Sequence, residues 1–308
     1  MQHRQLSSRV IMVRPAHFGF NPETALNNKF QTNVSEISAS DLNQMAISEF
    51  DNMVALLQKN GIEVYIHNDD PNTVKPDAIF PNNWLTMHED GKLITYPMFA
   101  PLRQRERSEE LIQKISSQFL VNEHIHFEQY ENENKFLEGT GSMIFDRTNQ
   151  LVYACISERT NLDLLKKLAD KLKYEVIDFD SRDQNGFPIY HTNVMMALGQ
   201  DFVVICLESV NLDDQKKLIE VFNRTKKEIV NISFKQMNSF AGNMLQLIST
   251  EGQAILVMSN SAFQSLNSNQ LQQLESKTKL LVVEIPTIEK IGGGSARCMI
   301  AENFLKPK

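Results

Sequence analysis

The sequence predicts an α/β protein built from five strand–strand–helix–strand repeats set in a ring. Three observations carry this reading. Five polar or glycine-bearing corners, anchored at Asn83, Gly139, Thr192, Gly242 and Gly294, recur at spacings of 56, 53, 50 and 52 residues. Each corner leads into a short apolar run, and in the first four a turn and a second run follow, the pattern of a β-hairpin. An amphipathic helical stretch and a further short strand fill the interval to the next corner.

The elements follow in order. "RVIMVRP" reads as a strand, 40–59 as a helix and "EVYIH" as a strand. The first hairpin, "FPNNWLTMHEDGKLITYPM" from Phe80, turns at "EDGK" and is followed by a helix over 103–118 and the strand "HIHF". The second, "FLEGTGSMIFDRTNQLVYAC" from Phe136, precedes a helix over 160–173 and "YEVIDF". The third, "IYHTNVMMALGQDFVVICL" from Ile189, precedes a helix over 211–225 and "EIVNISF". The fourth, "SFAGNMLQLISTEGQAILVM" from Ser239, precedes a helix over 262–277 and "LLVVEI". "NLDLLKKLADKLK" and "NLDDQKKLIEVF" each begin with asparagine before an acid-bearing first turn, an N-cap signal. The fifth corner, "IGGGSARCMIAENFL" from Ile291, has one strand only, and "RVIMVRP" completes its sheet. A single repeat cannot bury its sheet face, so the five should close on one another and point their corners at a common axis. The rival is two ordinary α+β domains with coincidental spacing.

Composition narrows the function. The 308 residues are 42% hydrophobic and 22% charged, ordinary for a globular chain. A net charge of −7 without a basic arm argues against nucleic-acid binding. No apolar run reaches the length of a membrane span, and no secretory signal opens the sequence. Three cysteines make no disulfide framework. A reduced, cytoplasmic protein is expected. CxxC, HExxH, GxxxxGK[ST] and GxGxxG are missing, and "GGGS" resembles a phosphate loop only loosely because no helix follows it.

A ring would gather Asn82 and Asn83, Glu138, His191 and Asn193, Asn243, and Cys298. Cysteine, histidine and a carboxylate are the parts of a thiolate nucleophile with an acid/base partner. Cys155 and Cys206 lie inside apolar runs and read as inert buried thiols. Cys298 follows three of only 12 glycines, whose bare backbone allows close approach to a ligand. Arg297 beside it favours thiolate. His191 is the one histidine at a corner. His17 is the other that could reach the site, while His3, His67, His88, His124 and His126 read as surface or strand positions. Glu138 stands where strand is expected and no helix begins. The segment 16–31 reads as a loop and a lid, with His17, Phe18 and Asn28 facing substrate.

The five-repeat pattern, "FLEG", "HTN" and "GGGSARCM" resemble the guanidino-group-modifying enzymes of the pentein superfamily. That group includes arginine deiminases, dimethylarginine dimethylaminohydrolases and amidinotransferases. "MVRPAHFGFNPET" and "FPNNW" resemble in particular bacterial amidinotransferase-like proteins of the citrulline utilisation hydrolase group. The resemblance covers nearly the whole chain. It implies a single domain, 1–308, folded as a five-bladed α/β propeller with its site at one mouth of the axis. It implies Cys298 as nucleophile, His191 as general acid/base and Glu138 as the carboxylate that holds substrate nitrogen. No metal or organic cofactor is expected.

One departure bears on substrate. Arginine-using members carry aspartate at the positions of Asn83 and Asn193. Asparagine donates to and accepts from a neutral planar group, whereas a buried cation needs a carboxylate. A ureido substrate, citrulline first, is therefore expected, with a guanidinium substrate as the rival unless Asp77 or Asp183 restores the charge. Asn82, Asn243 and His17 are the further substrate contacts expected. The amino-acid carboxylate calls for a cation, drawn from Arg297, Arg14, Arg103, Arg105 and Arg107. Arg105 fits better as a solvated helix residue. A homo-oligomer is left open, and so is a non-catalytic repeat protein that binds a small molecule.

Overall fold

The computed structural model describes residues 4–33 and 37–308. Its strands form five three-stranded sheets of one topology. In each, the central strand pairs antiparallel with the corner-side strand and parallel with the strand after the helix. A helical crossover is what permits the parallel pairing, since a tight turn can return a chain only antiparallel. One topology repeated five times excludes coincidental spacing. The residues fall into two compact units.

One compact unit comprises Ser7–Gly139 and Glu284–Lys308. Strand β1 (Arg9–Arg14) is central in its first sheet. Helix α1 (Ala39–Lys59) leads from it to β2 (Glu63–Asn68), paired in parallel from Arg9↔Glu63 to Arg14↔Asn68. On its other edge β1 pairs antiparallel with the terminal strand Ala301–Glu302, through Val10↔Glu302 and Ile11↔Ala301. "RVIMVRP" thus completes the fifth repeat, as expected. Helix α1 starts at Ser38, whose hydroxyl accepts from the Asp41 N–H, and buries Leu42, Ala46, Phe50, Met53, Val54 and Leu57 on one face. The second sheet holds β3 (Leu85–Met87), β4 (Lys92–Thr95) and β5 (Glu123–His126). The single helix expected over 103–118 is two, α2 (Pro101–Gln104) and α3 (Glu109–Gln118). The Ser108 hydroxyl accepts from the Leu111 N–H and opens the second helix anew.

The other compact unit comprises Met1–Leu6 and Thr140–Val283. A single-turn helix, α4 (Gly139–Ser142), leads to β6 (Ile144–Asp146), β7 (Leu151–Cys155), α5 (Leu162–Leu172) and β8 (Glu175–Phe179). The single turn α6 (Thr192–Met195) leads to β9 (Met196–Leu198), β10 (Phe202–Ile205), α7 (Leu212–Arg224) and β11 (Glu228–Asn231). After α8 (Phe234–Met237) come β12 (Leu245–Ile248), β13 (Ala254–Ser259), α9 (Asn260–Ser265), α10 (Ser268–Glu275) and β14 (Lys279–Val283). Asn161 and Asn211 cap α5 and α7 as expected. The helix expected over 262–277 is also broken. Asn267 and Gln270 form a reciprocal capping box that restarts it as α10. The corner-side strands lie side by side, β9 against both β6 and β12.

No described helix is long and apolar enough to cross a membrane. His67 and His88 are buried, and His3 lies outside the described residues.

Candidate active site

The second and fourth corners are built by one device: a glycine lets each sit directly on the backbone of the corner before it. In the first compact unit the first corner is the 3-10 turn Pro81–Asn83, with Asn82 and Asn83 buried. A Cβ at Gly139 would lie 2.3 Å from the Asn82 carbonyl oxygen and 2.8 Å from that of Asn83. Gly139 also has φ +44°, which favours glycine. The Asn83 Nδ2 donates to the Glu138 carbonyl oxygen at 3.5 Å. A helix does begin directly after Glu138, against expectation, because the bare Gly139 backbone allows the turn. The Glu138 side chain bonds to main chain outside that turn. It is fully buried, and its Oε1 accepts from the Phe99 N–H at 2.8 Å.

Beside this corner lies a buried ion cluster. Arg103 donates from Nε and Nη2 to both Glu106 carboxylate oxygens, at 2.8 and 2.9 Å. Its Nη1 donates to Asn83 Oδ1 at 2.8 Å, and its Nη2 to the Phe80 carbonyl oxygen at 3.3 Å. Asp77 stands 3.8 Å from Arg103 Nε and accepts from Asn21 Nδ2 at 2.8 Å. The surrounding acids, Glu106 first, hold the Arg103 guanidinium charged against its burial. Burial pushes the Glu106 carboxyl up to about 7, with Arg103 pulling the other way.

The fifth corner carries the thiol. A π-type turn over Ile288–Gly292 ends at Gly293, with φ +64°. Cβ atoms at Gly292 and Gly294 would lie 2.9 and 2.8 Å from the Phe80 ring, and one at Gly294 3.3 Å from Cys298 Cβ. First and fifth corners therefore meet through Phe80. The Cys298 N–H donates to the Ser295 carbonyl oxygen at 2.9 Å, and the residue is 8% exposed. Within the 16–31 segment, Asn28 and Gln31 donate to the carbonyl oxygens of Gly293 and Gly292, at 3.3 and 3.0 Å. Phe18 is buried, and a Cβ at Gly292 would meet its ring at 3.1 Å. His17 Nε2 lies 2.7 Å from the Pro71 carbonyl oxygen at an exposed place.

In the second compact unit, His191 occupies the N-cap position of α6 in extended conformation and is 4% exposed. Thr192 fixes this corner. Its hydroxyl accepts from the Cys155 N–H at 2.9 Å and donates to the Ser142 carbonyl oxygen at 2.5 Å. The fourth corner repeats the device of the second. A Cβ at Gly242 would lie 2.3 Å from the Val194 carbonyl oxygen, and Asn243 Nδ2 donates to the Asn193 carbonyl oxygen at 2.9 Å. Sequence reading passed over Arg159, a basic residue in the turn before α5. It is buried, its guanidinium stands 4.8 Å over the Tyr190 ring, and that ring lies 4.8 Å from the His191 ring. Cys155 and Cys206 are fully buried, and burial pushes their thiols up to about 12 and about 11.

The arginines considered for a carboxylate clamp are mostly committed elsewhere. Arg14 is bidentate to Asp51 and Arg107 to Glu131. Arg297 donates to the Ile300 carbonyl oxygen and to Glu302, bracing the turn that carries Cys298. Arg105 is exposed, in keeping with a solvated role. In the first compact unit Asn82, Asn83 and Glu138 thus meet at one place, with Cys298 on the fifth corner that touches Phe80; in the second, Asn243 bonds to the Asn193 main chain two residues after His191. Among the described residues no three His, Cys, Asp or Glu side chains group as a metal site.

Residues 14–305 match the family model for N,N dimethylarginine dimethylhydrolase, eukaryotic. The chain belongs to that family. The match places this family member among the pentein-superfamily proteins. Its fold is similar to that of apo ArgZ, an arginine dihydrolase from the ornithine-ammonia cycle in Cyanobacteria. The TM-score is 0.74 at 17% identity over 95% of this chain and 40% of that one. An Asn→Ser variant of the ArgZ N-terminal domain, covalently bound to a reaction intermediate, aligns at TM-score 0.71 and 18% identity over 96% and 97% of the two chains. A dimethylarginine dimethylaminohydrolase His→Gly variant, in adduct with S-methyl-L-thiocitrulline, aligns at TM-score 0.63 and 14% identity over 96% and 100%. The family member thus spans about two fifths of full-length ArgZ. No curated protein matches it significantly.

Proposed function

We propose that the five repeats close into a single five-bladed propeller whose corners share one site, and that this site hydrolyses the ureido group of citrulline. The glycine-seated corner contacts within each compact unit support the closure. One observation carries the substrate: the acids near Asn83 already serve an internal guanidinium. Arg103 takes both oxygens of Glu106 and the Asn83 oxygen, and it stands beside Asp77. Those carboxylates are then used by Arg103 rather than by a guanidinium substrate, whereas a neutral ureido group needs no counter-charge. Asp183, the other acid considered, accepts from the Asn185 and Phe187 N–H groups in its own turn.

In this reading the Cys298 thiolate adds to the ureido carbon, and hydrogen-bond donors around the site hold the charge on oxygen. The bond from carbon to the substrate's side-chain nitrogen then breaks, and His191 gives that nitrogen its proton. His191 next takes a proton from water, which attacks the S-carbamoyl carbon and releases carbamate and the free thiolate. Glu138 orients substrate N–H groups, joined by Asn82, Asn193, Asn243 and His17, while the Asn83 oxygen holds Arg103. The products are ornithine and carbamate, which falls to carbon dioxide and ammonia.

The test is a substrate screen of citrulline, arginine, methylated arginines and agmatine, with Cys298→Ala as control. Ornithine formed from citrulline by the wild type alone is the expected result. Ammonia from arginine with citrulline untouched would establish the guanidinium reading instead, which the arginine-directed neighbours favour. No turnover, with all three cysteines labelled equally slowly, would leave a small-molecule-binding protein.

A further inference from the structure

Glu289 is a carboxylate that the proposed chemistry leaves unused. It is 4% exposed and sits nine residues before Cys298, inside the π-type turn. A buried carboxylate in so apolar a segment needs a reason, because its charge is costly to bury. The reason on view is the turn. Ser295 Oγ, fully buried, donates to Glu289 Oε1 at 2.6 Å, the short distance of a hydroxyl bonded to a carboxylate. The Glu289 carbonyl oxygen accepts from the Gly293 N–H at 3.0 Å. One residue therefore grips the glycine-rich turn through both main chain and side chain.

The grip leads straight to the thiol. Ser295, held by Glu289, presents the carbonyl oxygen that accepts the Cys298 N–H at 2.9 Å. The start of the turn is clamped as well, since Glu49 accepts from the Thr287 and Ile288 N–H groups at 2.9 and 3.0 Å. Between the clamps run three glycines, the backbone that most needs outside restraint. With one end fixed by Glu49, the Glu289–Ser295 bond sets where the other end places Cys298.

We propose that Glu289 is a positioning residue for Cys298, acting through the Ser295 hydroxyl. The proposal rests on Cys298 being the nucleophile. Misplacing a reacting group by about 1 Å costs on the order of a hundredfold, so a loosened turn should be visible in the thiol's reactivity.

The experiment follows alkylation of Cys298 by iodoacetamide across a pH range in wild type, Ser295→Ala, Ser295→Thr and Glu289→Gln, beside turnover and melting temperature. Ser295→Ala and Glu289→Gln should each change the Cys298 rate and lower kcat by about tenfold or more, with KM little moved. Ser295→Thr, which keeps the hydroxyl, should restore both. The double variant should be no worse than either single one, as for partners in one bond. Altered melting with wild-type alkylation and kcat would overturn the proposal and leave Glu289 a support of stability alone. A wild-type Cys298 that alkylates no faster than Cys155 would instead remove the nucleophile assignment, so the two failures are told apart. Alkylation needs no substrate, and a wrong substrate assignment leaves it readable.

Discussion

Arg103 donates from Nη1 to the side-chain oxygen of Asn83 across 2.8 Å, and both residues are buried. This contact changes what the asparagine can read. Its oxygen is occupied by an internal guanidinium, and its amide nitrogen faces the Glu138 carbonyl. Asn83→Asp would pair the new carboxylate with Arg103. Alone it should leave the ratio of kcat/KM for citrulline and arginine within about threefold of wild type. Asn193→Asp, in the other compact unit, should carry most of any shift toward arginine. Steady-state kinetics on the two single variants decides it. A large shift from Asn83→Asp alone would show that the Arg103 contact does not bind that position.

The Glu106 carboxyl gives a pH signature. Burial raises its folded-state value to about 7, above the ordinary acid range, with Asp77 and Glu138 adding to the rise and Arg103 opposing it. Between its ordinary value and about 7 the folded protein holds a proton that the unfolded chain releases. The stability from this group is therefore present in acid and falls as pH rises through that window, by up to about 1.4 kcal/mol per pH unit. Glu106→Gln should flatten this slope in denaturant titrations run from pH about 5 to about 8. An unchanged slope would place Glu106 as a permanent carboxylate.

The three thiols should separate cleanly. With folded values of about 12 and about 11, Cys155 and Cys206 are thiolate to the extent of roughly one part in ten thousand and one in a thousand at pH about 8. Iodoacetamide labelling read by mass spectrometry should modify Cys298 first, and Cys298→Ala should remove both the fast label and the turnover.

Two glycines test the corner device. Gly139 and Gly186 both have positive φ, but a Cβ at Gly186 meets nothing within 4 Å. Gly186→Ala should cost about 1 kcal/mol from backbone strain. Gly139→Ala adds a collision with the Asn82 carbonyl, which cannot swing aside, and should exceed that cost by roughly 1–3 kcal/mol. Chemical denaturation measures both, and equal losses would mean the second corner does not rest on the first.

Much of the fold was legible in the sequence because hairpin turns, capping asparagines and helical spacing are local signals. Asn161 and Asn211 cap where their pattern placed them, and "RVIMVRP" pairs with the terminal strand. Helix breaks at Ser108 and Asn267 were missed, since the amphipathic pattern runs through them while a single side chain restarts the backbone. In the candidate site the residue types were readable and their commitments were not. Nothing in "RQRER" tells that Arg103 turns inward to Glu106 and Asn83 whereas Arg105 faces solvent. Arg159 escaped notice because one basic residue in a turn looks like any other until burial is known.

The pairing of β1 with Ala301–Glu302 has a kinetic consequence. Four of the sheets join stretches close along the chain, but this one must bring Val10 to Glu302, nearly the full sequence apart. Closing so long a loop is entropically slow and contributes to a high contact order. The strand that follows Cys298 is thus the segment expected to dock last in refolding, and recovery of fast thiol labelling should trail recovery of helical signal.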